Sequence, residues 1–150
     1  MAKQIVIIGG GASGLTAAIF AARAGASVTL LERNERPGRK LLATGNGRCN
    51  LTNLNQSRLC YRGEDPDRAF QIISRFNVQR TIGFFSDLGL YTRNREGWIY
   101  PYTGQASSVL QLLLMEAAAR KVKIKTRETV KEIRRQGDGS FLTLTEGWQY

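Results

Sequence analysis

Histidine is absent from this sequence, and Cys49 and Cys60 are the only cysteines among its 150 residues. Their separation fits neither the paired C-x-x-C pattern of zinc sites nor that of redox dithiols. Without histidine, the commonest general base and metal ligand of proteins is also missing. No G-x-S-x-G motif and no recognisable carboxylate pair takes its place. We therefore predict no metal site and assign no catalytic side chain.

Long apolar runs are missing as well, since no stretch approaches the roughly 18 residues that a membrane-spanning helix needs. Residues 1–4 lead directly into a strand pattern rather than into a signal peptide. These two absences predict that the protein has no membrane partner and is cytoplasmic.

Acidic residues are outnumbered, because 12 Asp and Glu stand against 22 Lys and Arg and give a net charge of +10. Such a charge could attract nucleic acid, an anionic cofactor or an acidic domain. The basic residues are scattered, however, and the densest group, residues 121–125, alternates with Val122 and Ile124 as on a solvated strand face. We therefore favour a small-molecule partner over nucleic acid. The sequence predicts no oligomeric state.

Residues 5–32 show the pattern of a dinucleotide-binding unit, in which a strand, a glycine-rich turn, a helix and a second strand end on an acid. The first run, 5–8, is apolar and β-branched, as in a strand buried on both faces of a parallel sheet. In the turn, Gly9 permits a sharp bend, Gly11 lets the backbone approach a pyrophosphate, and Gly14 lets the helix pack close to the strand.

The helix that follows would point the N–H groups around Ala12 and Ser13 at phosphate oxygens. Its apolar stripe is Leu15, Ala18, Ile19 and Ala22, and Gly25 is placed to end it. After the second strand, at 28–31, Glu32 stands where an acid accepts hydrogen bonds from an adenosine ribose. Its charge would repel a ribose 2′-phosphate, although Arg33 beside it keeps NADP as an alternative.

Residues 38–53 combine glycine, cations, amides and hydroxyls. This composition suits close contact with a phosphate and with a polar ring edge. It equally suits a loop built of Asx turns. Composition alone leaves both interpretations open.

A family resemblance favours the first interpretation. The string Gly38-Arg39-Lys40-Leu41-Leu42, the string from Thr44 to Asn53 and the block from Gly97 to Pro101 with Ala106 to Leu110 closely resemble the aminoacetone oxidase family, also called BaiN-like or NAD(P)/FAD-dependent oxidoreductases. The resemblance implies an α/β fold: a Rossmann-type, glutathione-reductase-like FAD-binding domain with a parallel sheet and a small β-meander. It also implies that residues 1–150 are the N-terminal part of that domain, with the substrate domain and the C-terminal completion outside this chain.

The resemblance further assigns cofactor-binding residues. It places the FAD pyrophosphate on Gly9, Gly11, Ala12, Ser13 and Gly14, and the adenosine ribose on Glu32 with Arg33 beside it. It places Arg39 and Lys40 along the ribityl-phosphate side. Near the isoalloxazine it puts Asn46, Gly47, Arg48, Cys49 and Asn50. Val130 is expected to meet adenine through its backbone, or else simply to pack in its strand.

The predicted function is that of an FAD-dependent oxidoreductase of the aminoacetone oxidase-like type, which transfers hydride through the flavin to or from a small organic substrate, with NAD(P)H as a conceivable co-substrate. The alternatives are a flavoprotein acting on transfer RNA and a non-catalytic dinucleotide-binding fragment. Cys49 is not expected to be a redox thiol, because the partner position of a C-x-x-x-x-C motif is Leu54.

The middle of the chain is expected to be scaffold. Asp65 and Pro66 predict a helix start, followed by an apolar face at Ala69, Ile72, Ile73 and Phe76. Asn77 is expected to cap a second helix, which runs to Leu88 and is ended by Gly89. A third, strongly apolar helix is predicted over residues 107–120. A hairpin is expected around residues 94–97, and its aromatic residues Trp98, Tyr100 and Tyr102 are expected to pack rather than to line a pocket.

Overall fold

In the computed structural model, which describes residues 2–150, the chain forms two compact units, Met1–Leu41 with Leu113–Tyr150 and Leu42–Leu112. The helices of the described residues are α1 (Ala12–Arg23), α2 (Arg39–Ala43), α3 (Pro66–Ser74), α4 (Val78–Asp87) and α5 (Ala106–Ala119). The strands are β1 (Gln4–Ile8), β2 (Ser27–Glu32), β3 (Thr52–Asn53), β4 (Thr92–Arg95), β5 (Trp98–Pro101), β6 (Lys123–Thr126), β7 (Val130–Arg135) and β8 (Phe141–Thr145). No helix among residues 2–150 is both long and apolar enough to cross a membrane.

The first unit is built on a parallel sheet in the order β1-β2-β6. Helix α1 connects the first two strands, and its residues Leu15, Ala18 and Ile19 are fully buried. Gly25 follows the helix with a φ of 86°, a conformation that favours glycine. The predicted strand–turn–helix–strand unit is therefore confirmed.

Strand β1 differs from the prediction that both of its faces are buried. Its central residues are half-buried and Ile8 is 48% exposed. The reason is its position in the sheet, because among the described residues β1 pairs only with β2. An apolar run shows that a strand suits a buried position, but its neighbours determine how much of it is covered.

The predicted β-meander is present as an antiparallel hairpin of β7 and β8, extended by a single bridge between Leu144 and Gln149. A register shift occurs between Val130 and Glu132. The α/β fold class with a parallel sheet is confirmed, and the meander is reduced to two strands among residues 2–150.

The second unit contains an antiparallel sheet in the order β3-β5-β4. Glu96 and Gly97 join β4 to β5 with φ values of 52° and 90°, the left-handed pair typical of a two-residue hairpin turn. The hairpin is confirmed, but the predicted packing of its aromatic residues is wrong for Trp98, which is 51% exposed, and for the exposed Tyr102.

The helices of the second unit begin where the sequence predicts. The Asp65 side chain caps α3 by accepting a hydrogen bond of 2.9 Å from the N–H of Arg68. Asn77 caps α4 in the same way. Ala69, Ile72 and Ile73 of the predicted apolar face lie on α3, whereas Phe76 lies beyond its end; no residue of α3 is buried, and Ile72 is exposed. Helical periodicity identified the helix but not what covers it.

Candidate nucleotide-binding site

The first unit contains an open cleft of about 340 Å³ at the ends of β1 and β2. Seven of the predicted cofactor-binding residues line it: Gly9, Gly11, Glu32, Arg33, Arg39, Lys40 and Val130. Six further residues complete the lining: Ile8, Leu31, Asn34, Gly38, Glu128 and Thr129. The structure thus brings together residues from four separate segments of the sequence.

The glycine-rich turn forms one wall of the cleft. Gly9 has a φ of 96°, and its N–H donates a hydrogen bond of 2.7 Å to the carbonyl of Leu31 on the neighbouring strand. A Cβ on Gly14 would overlap the carbonyl oxygen of Gly9, so the helix lies as close to the strand as glycine allows. A Cβ on Gly11 would meet no atom within 4 Å. The turn therefore leaves open space on its cleft side.

Helix α1 begins directly after this turn, with Gly11 as its N-cap and no side chain capping it. The N–H groups of the first turn, including those of Ala12 and Ser13, have no acceptor within the helix. No acidic residue lies in that turn. No side chain of the helix itself therefore offsets the partial positive charge of this end, which suits an anionic group.

Glu32 lies at the end of β2 and is only 6% exposed. Its Oε2 accepts a hydrogen bond of 2.7 Å from the N–H of Gly10, and its Oε1 accepts one of 2.8 Å from the N–H of Asn34 and another from the Asn34 side-chain amide. Burial raises the pKa of this carboxyl, but these donors, helped by the charge of Arg33, outweigh it and hold the pKa below its usual value. The site therefore holds a buried carboxylate in its charged form.

The sequence reasoning missed Asn34 and Gly10 as parts of this site. A Cβ on Gly10 would approach Pro37 Cβ to 2.7 Å and Glu32 Oε2 to 3.0 Å, so the position requires glycine. The Gly10 carbonyl also accepts a hydrogen bond of 2.8 Å from the N–H of Gly38. The available signals were the third consecutive glycine in the turn and an amide two residues after the acid.

Three cations, Arg33, Arg39 and Lys40, line the cleft together with the carboxylates of Glu32 and Glu128. All three cations are exposed. Exposed cations around the buried carboxylate of Glu32 suit a ligand with phosphate groups on one side and hydroxyl groups on the other.

The remaining predicted residues lie in the second unit, in a loop of unusual backbone conformation. Gly45, Asn46, Gly47 and Cys49 have φ values of 56°, 54°, 78° and 58°. Two turn hydrogen bonds close the loop, from the Arg48 N–H to the Gly45 carbonyl at 3.1 Å and from the Cys49 N–H to the Thr44 carbonyl at 3.0 Å. Left-handed conformations at non-glycine residues are costly, so this loop is held in one specific shape.

Cys49 and Asn50 form the inner part of this loop. Cys49 is 6% exposed, and burial raises the pKa of its thiol, although a hydrogen bond with Thr44 acts in the opposite direction. The Asn50 amide donates to the carbonyls of Thr52 and Ile99, each at 3.2 Å. Both side chains therefore hold the loop in place, and their contact with a flavin stays a prediction.

Comparison with known proteins gives a family and several relatives. A family model described as "HI0933-like protein Rossmann domain" matches residues 3–149. The chain is 48% identical to the 3-dehydro-bile acid delta(4,6)-reductase of Clostridium scindens, over 99% of this chain and 36% of that protein. It is 29% identical to the ribosomal RNA dihydrouridine synthase of Escherichia coli, over 93% of this chain and 35% of that protein.

Among solved structures, the 3-ketosteroid-delta4-(5alpha)-dehydrogenase of Rhodococcus jostii is similar with a TM-score of 0.70 and 16% identity, over 98% of this chain and 43% of that one. At this identity the match shows the fold alone. The chain spans about a third of the length of the curated relatives that it matches.

Proposed function

Because this chain belongs to the HI0933-like family of Rossmann-domain proteins, we propose that it is the N-terminal part of an FAD-dependent oxidoreductase. The predicted BaiN-like family is confirmed by this membership and by the 48% identical reductase. The observation that carries the cofactor assignment is the buried, ionised carboxylate of Glu32 beside the open glycine turn.

The residues of the cleft fit the adenosine and pyrophosphate end of FAD. Each carboxylate oxygen can accept two strong hydrogen bonds. Oε1 of Glu32 already accepts two from Asn34, whereas Oε2 accepts one from Gly10. One acceptor position therefore stays free for a ribose hydroxyl. The open space at Gly11 and the uncapped start of α1 would take the pyrophosphate, and Arg39 and Lys40 would neutralise it.

When bound, the flavin supplies hydride transfer. The task of this chain is then to bind and orient the cofactor, and we assign none of its side chains to proton transfer. The loop at 44–50, rigid through its left-handed residues, would hold the isoalloxazine side as the family resemblance implies. NAD(P)H stays a candidate source of the hydride.

For the substrate, we propose a small molecule with a carbon–carbon double bond conjugated to a carbonyl group. The names of both curated relatives describe such a bond being reduced, in a 3-keto bile acid and in the uracil ring of RNA. Hydride adds to the carbon of this bond that is farther from the carbonyl group. The negative charge that this creates on the other carbon is delocalised onto the carbonyl oxygen. Aminoacetone oxidation stays a prediction from the family resemblance, because the name of neither relative mentions it.

The test is to purify the full-length protein, measure its flavin absorbance, reduce it without oxygen and mix it with cyclic enones. We expect a yellow protein that is reoxidised by an enone with loss of the double bond. A colourless protein that takes up no FAD would overturn the cofactor assignment. Reoxidation by oxygen or by an aminoketone but by no enone would overturn the substrate class only.

A second candidate function is the reduction of uridine in RNA. It is favoured by the similarity to a ribosomal RNA dihydrouridine synthase and by the net charge of +10. The sequence analysis gave transfer RNA only as an alternative substrate, and the relative's name points to ribosomal RNA instead. Dihydrouridine in the ribosomal RNA of cells with and without the gene would test it, and an unchanged content would exclude it.

A further inference from the structure

One face of the three-stranded sheet in the second unit carries two aromatic and two cationic side chains. Arg93 of β4 pairs in register with Tyr100 of β5, and Arg95 pairs with Trp98. Residues paired across antiparallel strands lie on the same side of the sheet. These four side chains, Arg93, Arg95, Trp98 and Tyr100, therefore share one side, which we call the cation–aromatic face.

The cation–aromatic face is open at Arg95 and Trp98 and half-buried at Arg93 and Tyr100, whereas β5 is buried on the opposite side of the sheet. Ile99 and Pro101 alternate with the two aromatic residues along β5 and are buried. On the cation–aromatic face, half of Trp98 is exposed and Arg95 is exposed as well. An aromatic ring that stays half in water beside cations is better suited to a ligand than to the core.

The two guanidinium groups of this face lack counter-charges. Among residues 2–150, neither Arg93 nor Arg95 takes part in an ion pair, and Glu96 at the hairpin tip pairs with neither. Nε of Arg93 is buried without a hydrogen-bond partner. Turning this guanidinium outward to an anion would therefore break no hydrogen bond at Nε and would allow a new one.

We infer that the cation–aromatic face binds single-stranded RNA. Aromatic rings stack on bases of any sequence, and guanidinium groups bind phosphates, which is the combination that single-strand binders use. Positions two residues apart on a strand are about 7 Å apart, so the two pairs offer neighbouring stacking and phosphate sites. This surface would bind the RNA substrate in the second candidate function, the reduction of uridine. The inference rests on that proposed function and does not depend on flavin binding.

The test measures binding of a fluorescent uridine-rich oligonucleotide to the full-length protein at increasing salt, by anisotropy. The salt dependence is the slope of the logarithm of the binding constant against the logarithm of the salt concentration. We expect Arg95→Gln and Arg93→Gln each to reduce this slope by about one unit. We expect Trp98→Leu to weaken binding about tenfold through lost stacking. Arg95 is exposed at the hairpin, so its replacement should leave folding intact.

Two matched variants control for charge and for loss of an exposed tryptophan. Arg62→Gln removes the same charge from an exposed position of the same unit, and Trp148→Leu removes an exposed tryptophan from the other unit. Both should bind like the unmodified protein. Equal weakening by these controls, or a salt slope near zero in the unmodified protein, would overturn the inference. Flavin absorbance recorded on each sample separates this outcome from a failure of the proposed FAD binding.

Discussion

Glu32 in the cleft of the first unit and Cys49 in the left-handed loop are equally shielded from solvent, yet their pKa values move in opposite directions. Each residue is 6% exposed. The pKa of Glu32 lies below its usual value, although burial raises it, because two backbone N–H groups and an amide donate to the carboxylate. The pKa of Cys49 is raised, because burial acts there against a single hydrogen bond with Thr44.

The comparison shows that a buried acid in this chain keeps its charge where several hydrogen-bond donors meet it, and loses it where burial outweighs a single hydrogen bond. The turn around Glu32 is arranged to keep a charge, as the proposed contact with a ribose requires. The loop around Cys49 is arranged to keep a neutral thiol, which acts as a small apolar side chain. Four experiments test this contrast.

Glu32→Gln should have the largest effect, a loss of about 3 kcal/mol in the free energy of unfolding. Glutamine has one acceptor oxygen where glutamate has two, so the N–H of either Gly10 or Asn34 would lose its partner. Urea unfolding at neutral pH measures the loss. Glu35→Gln, at an exposed position, should cost less than about 0.5 kcal/mol. Equal losses in the two variants would show that the hydrogen bonds donated to Glu32 do not stabilise the fold.

Gly45→Ala should cost about 2 kcal/mol and disturb the loop that holds Cys49. Gly45 has a φ of 56°, and an added Cβ would come within 3.0 Å of the Asn50 nitrogen. Gly83→Ala is the control, because Gly83 lies within α4 and a Cβ there would meet no atom within 4 Å. It should stabilise the protein by up to about 1 kcal/mol. An unchanged urea midpoint for Gly45→Ala would mean that the loop is not held rigidly.

Cys60 should react with iodoacetamide at least about tenfold faster than Cys49 in the folded protein. Cys60 is exposed, and a hydrogen bond with the Ser57 side chain lowers its pKa, whereas the Cys49 thiol is buried and its pKa is raised. Mass spectrometry of timed samples gives both rates. Cys60→Ser should leave only slow labelling until urea is added, and rapid labelling of Cys49 in that variant would contradict the assignment of an inert thiol.

Asn34→Ala should have the smallest effect, a loss of about 1 kcal/mol at neutral pH. The folded-state pKa of Glu32 is depressed, so its charge stabilises the fold fully above the unfolded pKa near 4.5, and this contribution disappears as the pH falls through the folded pKa. Removing the Asn34 amide brings the folded pKa closer to 4.5 and flattens this acid dependence.

Urea unfolding over a series of acid pH values measures how the free energy of unfolding depends on pH. Asn34→Ser, whose hydroxyl can donate to the carboxylate, should restore part of this dependence. If Asn34→Ala and the unmodified protein show the same acid dependence, the amide does not set the charge of Glu32.

Much of the first unit could be predicted from sequence, because the signals are local. Gly9 and Gly14 stand where the backbone of a strand–turn–helix needs glycine, and Glu32 ends the second strand. The contribution of Asn34 could not be predicted, because it depends on which way the Glu32 carboxylate turns. The exposure of Trp98 was mispredicted for a similar reason, since a hairpin pattern does not tell which element covers a surface.

The sequence by itself determined the strand–turn–helix–strand unit of residues 5–32, the caps at Asp65 and Asn77, the hairpin turn and the position of the acid that ends β2. All of these follow from residues a few positions apart, whose backbone preferences act without distant partners. Only the tertiary structure decided the charge of Glu32, the neutrality of Cys49 and the open side of the β4–β5 sheet. Burial and hydrogen-bond partners come from distant segments, as when Gly10 donates to an acid 22 residues further along the chain.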